Sequence, residues 1–343
     1  MREPASAPVP ETAPAPVPEP AGAPMPQPAG AAITARGLAR RFGSFVAVRD
    51  LDLDVQRGEV FGLLGANGAG KTTTIRMLCG TLAPSAGDIS VGGVDMVRRA
   101  RRARGRIGYV TQRFTLYGDL TVLENLRLQA GLYGLYGERE RSRLAWALAR
   151  LELGPGRDTR AALLPLGFQR RLAVAAALLH EPDVLFLDEP TSGIDPLARQ
   201  AFWELVYELA DSGIGVLVTT HYMDEALFCD RLALMDAGRV VAQGTPQELL
   251  ARPPGAPIVE LRTRSGGDWT RWLSGWPEVR EVVPRAGRLR VRLRAGSTLE
   301  RFAARVRAEA AKRHVEAGSV APLAPELEDV FVDVLEQSAA AAS

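Results

Sequence analysis

The chain has 343 residues, enough for one large domain or two smaller ones, and its 46% apolar and 24% charged content is that of an ordinary globular protein. Its 42 basic and 40 acidic side chains leave a net charge of +2, which gives no electrostatic reason to expect nucleic acid as the main partner. Two cysteines, Cys79 and Cys229, are too few for a disulfide framework and lack metal-ligand spacing, so a reducing cytoplasm is the expected setting. No run approaches the ~18 apolar residues of a membrane-spanning helix.

Residues 1–30 are dense in Pro and Ala, with no side chain large enough to build a core, and read as a disordered tail with polyproline-II character. Arg2 is followed by alternating Pro and Ala where a signal peptide needs an apolar core. From 31 to 250 the text is α/β. Apolar, β-rich runs at Val60–Leu64, Ile107–Thr111, Val184–Leu187, Gly215–Thr219 and Arg239–Ala242 alternate with helical stretches at Lys71–Cys79, Leu197–Leu209 and Met223–Phe228. That alternation predicts a mainly parallel sheet covered by helices. The arginine-rich run Arg98–Arg106 reads as a solvated face, because arginine is the usual surface cation of a chain with only two lysines, Lys71 and Lys312. Residues of about 113–165 show only amphipathic helical text, Thr121–Tyr133 and Glu138–Leu153, and form a predicted helical insertion. After Arg252-Pro253-Pro254-Gly255 the texture changes. Ile258–Arg262, Glu281–Pro284 and Leu289–Leu293 alternate like strands and Thr298–Lys312 is an amphipathic helix, so 256–335 is expected to be a small α+β domain.

Gly65-Ala66-Asn67-Gly68-Ala69-Gly70-Lys71-Thr72 has the spacing of a phosphate-binding loop and stands between a strand and a helix, as that motif requires. Glycines let the backbone curl so that successive N–H groups face phosphate oxygens, and the helix N-terminus adds its positive end. Gly65, Asn67, Gly68, Ala69, Gly70, Lys71, Thr72 and Thr73 are the candidate nucleotide contacts. Lys71 is expected on the β- and γ-phosphates and the Thr72 hydroxyl on Mg²⁺. Val184–Leu187 leads into Asp188-Glu189. At a strand's C-terminal edge beside the loop, Asp188 suits Mg²⁺ and Glu189 suits polarising the attacking water. His221 follows Gly215–Thr219 at the same sheet edge and is read as a phosphate sensor.

With these motifs in this order, residues 38–249 resemble the nucleotide-binding domain of ATP-binding cassette (ABC) transporters. Gly65–Thr72 is similar to the Walker A motif, Val184–Glu189 to Walker B, and Ser192-Gly193-Ile194-Asp195 to the D-loop that crosses a dimer interface. Gln112 matches the Q-loop glutamine, a Mg²⁺ and water contact, and His221 the switch histidine. Phe42, in Arg41-Phe42-Gly43, matches the aromatic that stacks on adenine, with a core role or stacking by Phe45 as the alternatives. The signature loop departs from the family: where Leu-Ser-Gly-Gly-Gln is usual, this chain reads Leu164-Pro165-Leu166-Gly167-Phe168. Pro165 removes a hydroxyl and an N–H that the family aims at the opposite ATP, while Gly167 and the helix end remain, with Pro165 expected at the helix's first position. Leu327–Phe331 resembles the closing helix of the small C-terminal domain found in export-type members.

The resemblance implies a phosphate-loop α/β cassette with an antiparallel β subdomain. It further implies an ATPase that closes head to tail with a second cassette, identical or different, around two ATP–Mg²⁺. Such a subunit would drive a separate transmembrane permease from the cytoplasmic face of the membrane, with coupling near Gln112. Lipids, polysaccharides, drugs and ions stay open as cargo. Two other readings are a cassette acting on ribosomes or DNA, and an ATP-holding module without turnover. The first is disfavoured by a single cassette without sustained heptads. The second, suggested by Pro165 and Leu166, is disfavoured by Glu189 and His221.

Overall fold

The apolar alternation just after the Pro/Ala-rich stretch folds into two long strands, β1 (Ala31–Phe42) and β2 (Phe45–Gln56), paired antiparallel across a two-residue turn. The structure, a computed structural model, describes residues 30–251, 255–263, 268–285 and 287–342. All but the last residue of the expected tail, and Arg252–Pro254 of the expected linker, lie outside the described residues.

In chain order there follow β3 (Val60–Leu64), α1 (Lys71–Leu78), β4 (Ala86–Val91), β5 (Val94–Asp95), α2 (Ala100–Arg104), β6 (Ile107–Val110), α3 (Val122–Leu132), α4 (Gly137–Arg150) and α5 (Leu166–Leu178). Then come β7 (Val184–Asp188), α6 (Pro196–Asp211), β8 (Gly215–Thr220), α7 (Met223–Ala226), β9 (Arg231–Asp236), β10 (Arg239–Gly244) and α8 (Pro246–Leu250). The last part holds β11 (Ile258–Arg262), α9 (Trp269–Ser274), β12 (Val279–Arg285), β13 (Arg288–Leu293), α10 (Leu299–Lys312), β14 (Ser319–Pro322) and α11 (Leu327–Ala342).

Six strands form the central sheet in the order β10-β9-β3-β8-β7-β6, parallel except for the β9–β10 hairpin. Its middle strands are apolar up to their C-terminal ends because both faces are covered. Leu185, Leu187, Val216 and Val218 face the layer made by α3 to α6. Val184, Phe186 and Leu217 face α1 and the antiparallel sheet β2-β1-β4-β5. Helix starts are fixed by local chemistry. Thr121 and Glu124 form a reciprocal capping box on α3, and Asp195 caps α6 with Pro196 behind it. The arginine run becomes α2, whose Arg101, Arg102 and Arg104 are exposed, as expected of a solvated face.

The C-terminal part forms a third sheet, β12-β13-β11-β14. In β13 Leu289, Val291 and Leu293 pack on Trp269, Leu273 and Phe302. The alternate residues Arg290 and Arg292 turn to the other face, where Asp329 and Asp333 of α11 pair with them, all four buried. The apolar side of α11 does not close this small core. Leu327, Val330, Phe331 and Val334 pack on Leu64, Ala226, Leu232, Leu234 and Leu249 of the cassette.

Candidate nucleotide site

The loop between β3 and α1 accepts only glycine at two positions. A Cβ on Gly65 would lie 2.3 Å from the Met235 carbonyl, and one on Gly70 would lie 2.7 Å from the Ala47 carbonyl, with φ at +108°. Held this way, the loop offers the N–H groups of Gly68, Gly70, Lys71, Thr72 and Thr73, none of which finds an acceptor among the described residues. The last three are first-turn donors that a helix cannot satisfy internally. Ala69 instead turns into the core, and its carbonyl accepts from the Gly238 N–H at 3.0 Å. Buried Lys71 donates from Nζ to the carbonyls of Gly65 (2.7 Å) and Ala66 (3.2 Å), which holds the ammonium over the loop. Burial pulls its pKa down, against the opposing pull of the Glu189 and Asp188 carboxylates.

The parallel order of the sheet brings the other candidates to the same edge. Asp188 ends β7, is buried, and accepts from the Thr219 hydroxyl at 2.6 Å. Burial pushes its carboxyl above the usual range, opposed by that hydroxyl. Glu189 turns the chain sharply with φ at +47°, a strained value for a residue with a Cβ. Its N–H is held at 3.1 Å by both the carbonyl and the hydroxyl of Thr219. Its carboxylate Oε2 accepts from Gln112 Nε2 at 2.7 Å, and Oε1 lies 3.3 Å from His221 Nδ1 and 3.9 Å from Lys71 Nζ. Residues following four strands thus meet at one carboxylate. Thr219 was not legible beforehand, because a threonine inside an apolar strand reads only as β-propensity; its position two residues before His221 is the signal that could have marked it.

A cleft of about 490 Å³ opens over the loop, lined by Asn67, Gly68, Gly70, Lys71–Thr73, Gln112, Glu189 and, on the far wall, Phe45. Phe42 is not in this lining. It pairs with Phe45 across the β1–β2 turn and lies under the Arg40 guanidinium, 4.5 Å from its ring centre. Gly167 lies outside the cleft as well, where a Cβ would sit 3.1 Å from that of Ala198 on α6. The helix that follows the signature loop starts at Leu166, with Pro165 as its N-cap rather than its first residue. The Pro165 carbonyl accepts the first helical bond from Gln169 at 3.0 Å, and the N–H groups of Leu166, Gly167 and Phe168 meet no acceptor among the described residues.

The ABC transporter family model matches residues 48–192. The probable multidrug ABC transporter ATP-binding protein YbhF of Escherichia coli is 47% identical over 220 residues, which are 64% of this chain and 38% of that protein. The Nod factor export ATP-binding protein I of Ralstonia nicotianae is 44% identical over 230 residues, 67% of this chain and 72% of its own. An ATP-binding cassette solved as a dimer in a post-hydrolysis state with ADP and Pi matches with a TM-score of 0.56 at 26% identity, over 62% of this chain and 98% of the other. The chain belongs to the ABC transporter family, among its ATP-binding proteins.

Proposed function

We propose that this chain is the ATP-hydrolysing subunit of an ABC exporter, acting on a membrane partner. The observation that carries the reading is the convergence of Gln112, His221 and Lys71 on the Glu189 carboxylate at the mouth of the phosphate loop. The free N–H groups of the loop suit the β- and γ-phosphates, with Lys71 leaving its carbonyl partners for them. Phe45, the ring that lines the cleft, is the better placed of the two candidates to cover adenine, and Phe42 supports it across the turn.

The donors near Lys71 also suit Mg²⁺, which takes hard oxygen ligands: the Thr72 hydroxyl, the Asp188 carboxylate and the Gln112 amide oxygen. Mg²⁺ would neutralise charge building on the phosphate oxygens. Asp188 is the strongest support, a buried carboxylate that has hydroxyl donors but no cation in direct contact among the described residues, the state in which a cation is most favourable. Glu189 would accept a proton from the attacking water. Gln112 and His221 orient that carboxylate, and His221 in addition senses the γ-phosphate.

Two partners complete the reading. The unsatisfied N–H groups around Gly167 point to a second cassette, whose ATP they would serve across a head-to-tail dimer. A groove of about 290 Å³ beside Gln112, lined by Thr111, Leu116, Gln129 and Tyr133, suits the permease subunit. Among the described residues no helix is long and apolar enough to cross a membrane; a peripheral place on the cytoplasmic face follows from the membrane partner proposed here. Export as the direction of transport rests on the description of the Nod factor export protein. Mg²⁺-dependent ATP turnover by the purified chain tests the reading. Lys71→Ala should abolish binding of a labelled ATP analogue, since it removes the buried cation facing the phosphates; unchanged affinity would place the nucleotide elsewhere.

A further inference from the structure

We propose that Glu225 is a positioning residue that locks the loop carrying Glu189 to the loop carrying His221, an inference that rests on the hydrolytic reading above. Glu225 lies on α7 and is 1% exposed. It accepts from the hydroxyl of Thr191 on one oxygen and from the hydroxyl of Thr220, at 2.7 Å, on the other. Thr191 stands two residues after Glu189, and Thr220 immediately precedes His221. The Arg199 Nε, on the first turn of α6, lies 3.7 Å from the same carboxylate. The Thr220 hydroxyl also accepts from the Tyr222 N–H at 3.0 Å, so the turn around His221 is wound on the same knot.

A carboxylate removed from water is stable only when its oxygens are satisfied. Here one donor, Thr191, stands in the turn that follows β7, and the other, Thr220, is the last residue of the adjacent strand β8. Glu189 and His221 directly follow β7 and β8, so Glu225 ties together the two segments that carry them. Thr191 also leads directly into Ser192–Asp195, the segment similar to the D-loop. Any displacement of that segment by a second cassette must pull on Glu225, and through Thr220 on His221. Glu225 thereby makes the alignment of the hydrolytic pair depend on engagement of the partner.

The test separates hydroxyls from bulk. Thr191→Val and Thr220→Val remove the hydroxyl at nearly constant volume, Thr191→Ser and Thr220→Ser keep it, and Glu225→Gln removes the charge. In the full chain, kcat for ATP should fall at least tenfold in the two valine variants and in Glu225→Gln, with ATP affinity within twofold of wild type. The serine variants should return to within about threefold of wild-type kcat. Wild-type kcat in the valine variants, equal losses of kcat and ATP affinity, or serine variants as slow as valine ones would each overturn the proposal. Glu189→Gln serves as the reference. If wild type turns over ATP, Glu189→Gln does not, and the valine variants are normal, only the role of Glu225 falls. If wild type shows no turnover, the hydrolytic reading falls and this inference with it.

Discussion

Glu189 has a backbone that few residues adopt, held where Thr219 accepts from its N–H, and a side chain that bonds Gln112 and is approached by His221 and Lys71. Spacing alone marked the phosphate loop and the Asp188–Glu189 pair, because glycine and adjacent carboxylates at a strand end have few other uses. The threonines 191, 219 and 220 escaped, since in an apolar strand or a turn they look like any β-former. The choice between Phe42 and Phe45 was likewise open in sequence, and only the turn that pairs them decides which ring faces the loop. Asp188 gives a prediction with a definite sign. Burial raises its pKa above the ordinary 3.8, so its contribution to stability is present below that pH and is lost as pH rises through the raised value. Near pH 7 the ionised group is therefore a cost. Asp188→Asn keeps an acceptor for Thr219, and should raise the melting temperature of the nucleotide-free protein at about pH 7 by a few degrees. The gain should fade below about pH 4. Mg²⁺-dependent ATP binding should be lost in the same variant, and a lower melting temperature at neutral pH would contradict the burial argument.

At the scale of elements, the strands β3, β7 and β8 were legible because a sheet covered on both faces leaves unbroken apolar runs. The hairpin partner β9, the short helix α9 and the edge strand β14 were not. Charged residues bound the short apolar stretch of β9, and α9 and β14 mix polar and apolar residues over too few positions to show either a period or an unbroken apolar run. The start of α5 carries the Leu164-Pro165-Leu166-Gly167 loop, read in sequence as a departure from the usual signature motif. Pro165 caps it without a side-chain hydrogen bond, and Leu166 reaches over the D-loop-like segment, 3.5 Å from where a Cβ on Gly193 would stand. Changing Pro165→Ser together with Leu166→Gly restores a hydroxyl and two permissive backbone positions. Steady-state turnover should rise, with a ceiling of about a hundredfold set by one charge-assisted hydrogen bond. A loss would mean that the packing of Leu166 on the Gly193 turn matters more to the site than the missing donor.

Across the whole molecule, α11 joins two cores. Its acidic side holds the arginine face of β13, and its apolar side covers Leu64, the residue before the phosphate loop, and Ala226, next to Glu225. The sequence showed the alternation of β13, and the family resemblance offered a closing helix at Leu327–Phe331, but not that this helix faces the cassette, because charge and apolar stripes do not name their partners. Asp329→Ala leaves Arg290 with only Glu326, at 4.0 Å, and weakens Arg292, so urea unfolding of the full chain should show a loss of about 3–5 kcal/mol, as for other buried pairs broken on one side. A loss below about 1 kcal/mol would mean that water replaces the aspartate and that the contact acts as a surface pair. The central claim is that Glu189 activates water for hydrolysis of an ATP held on Lys71. Its most direct test is Glu189→Gln, followed by ATPase rate, ATP binding and light scattering on the same samples. Binding should be retained, turnover lost, and an ATP-dependent dimer should form that does not reopen; near-normal turnover in the variant would rule out Glu189 as the group that activates water.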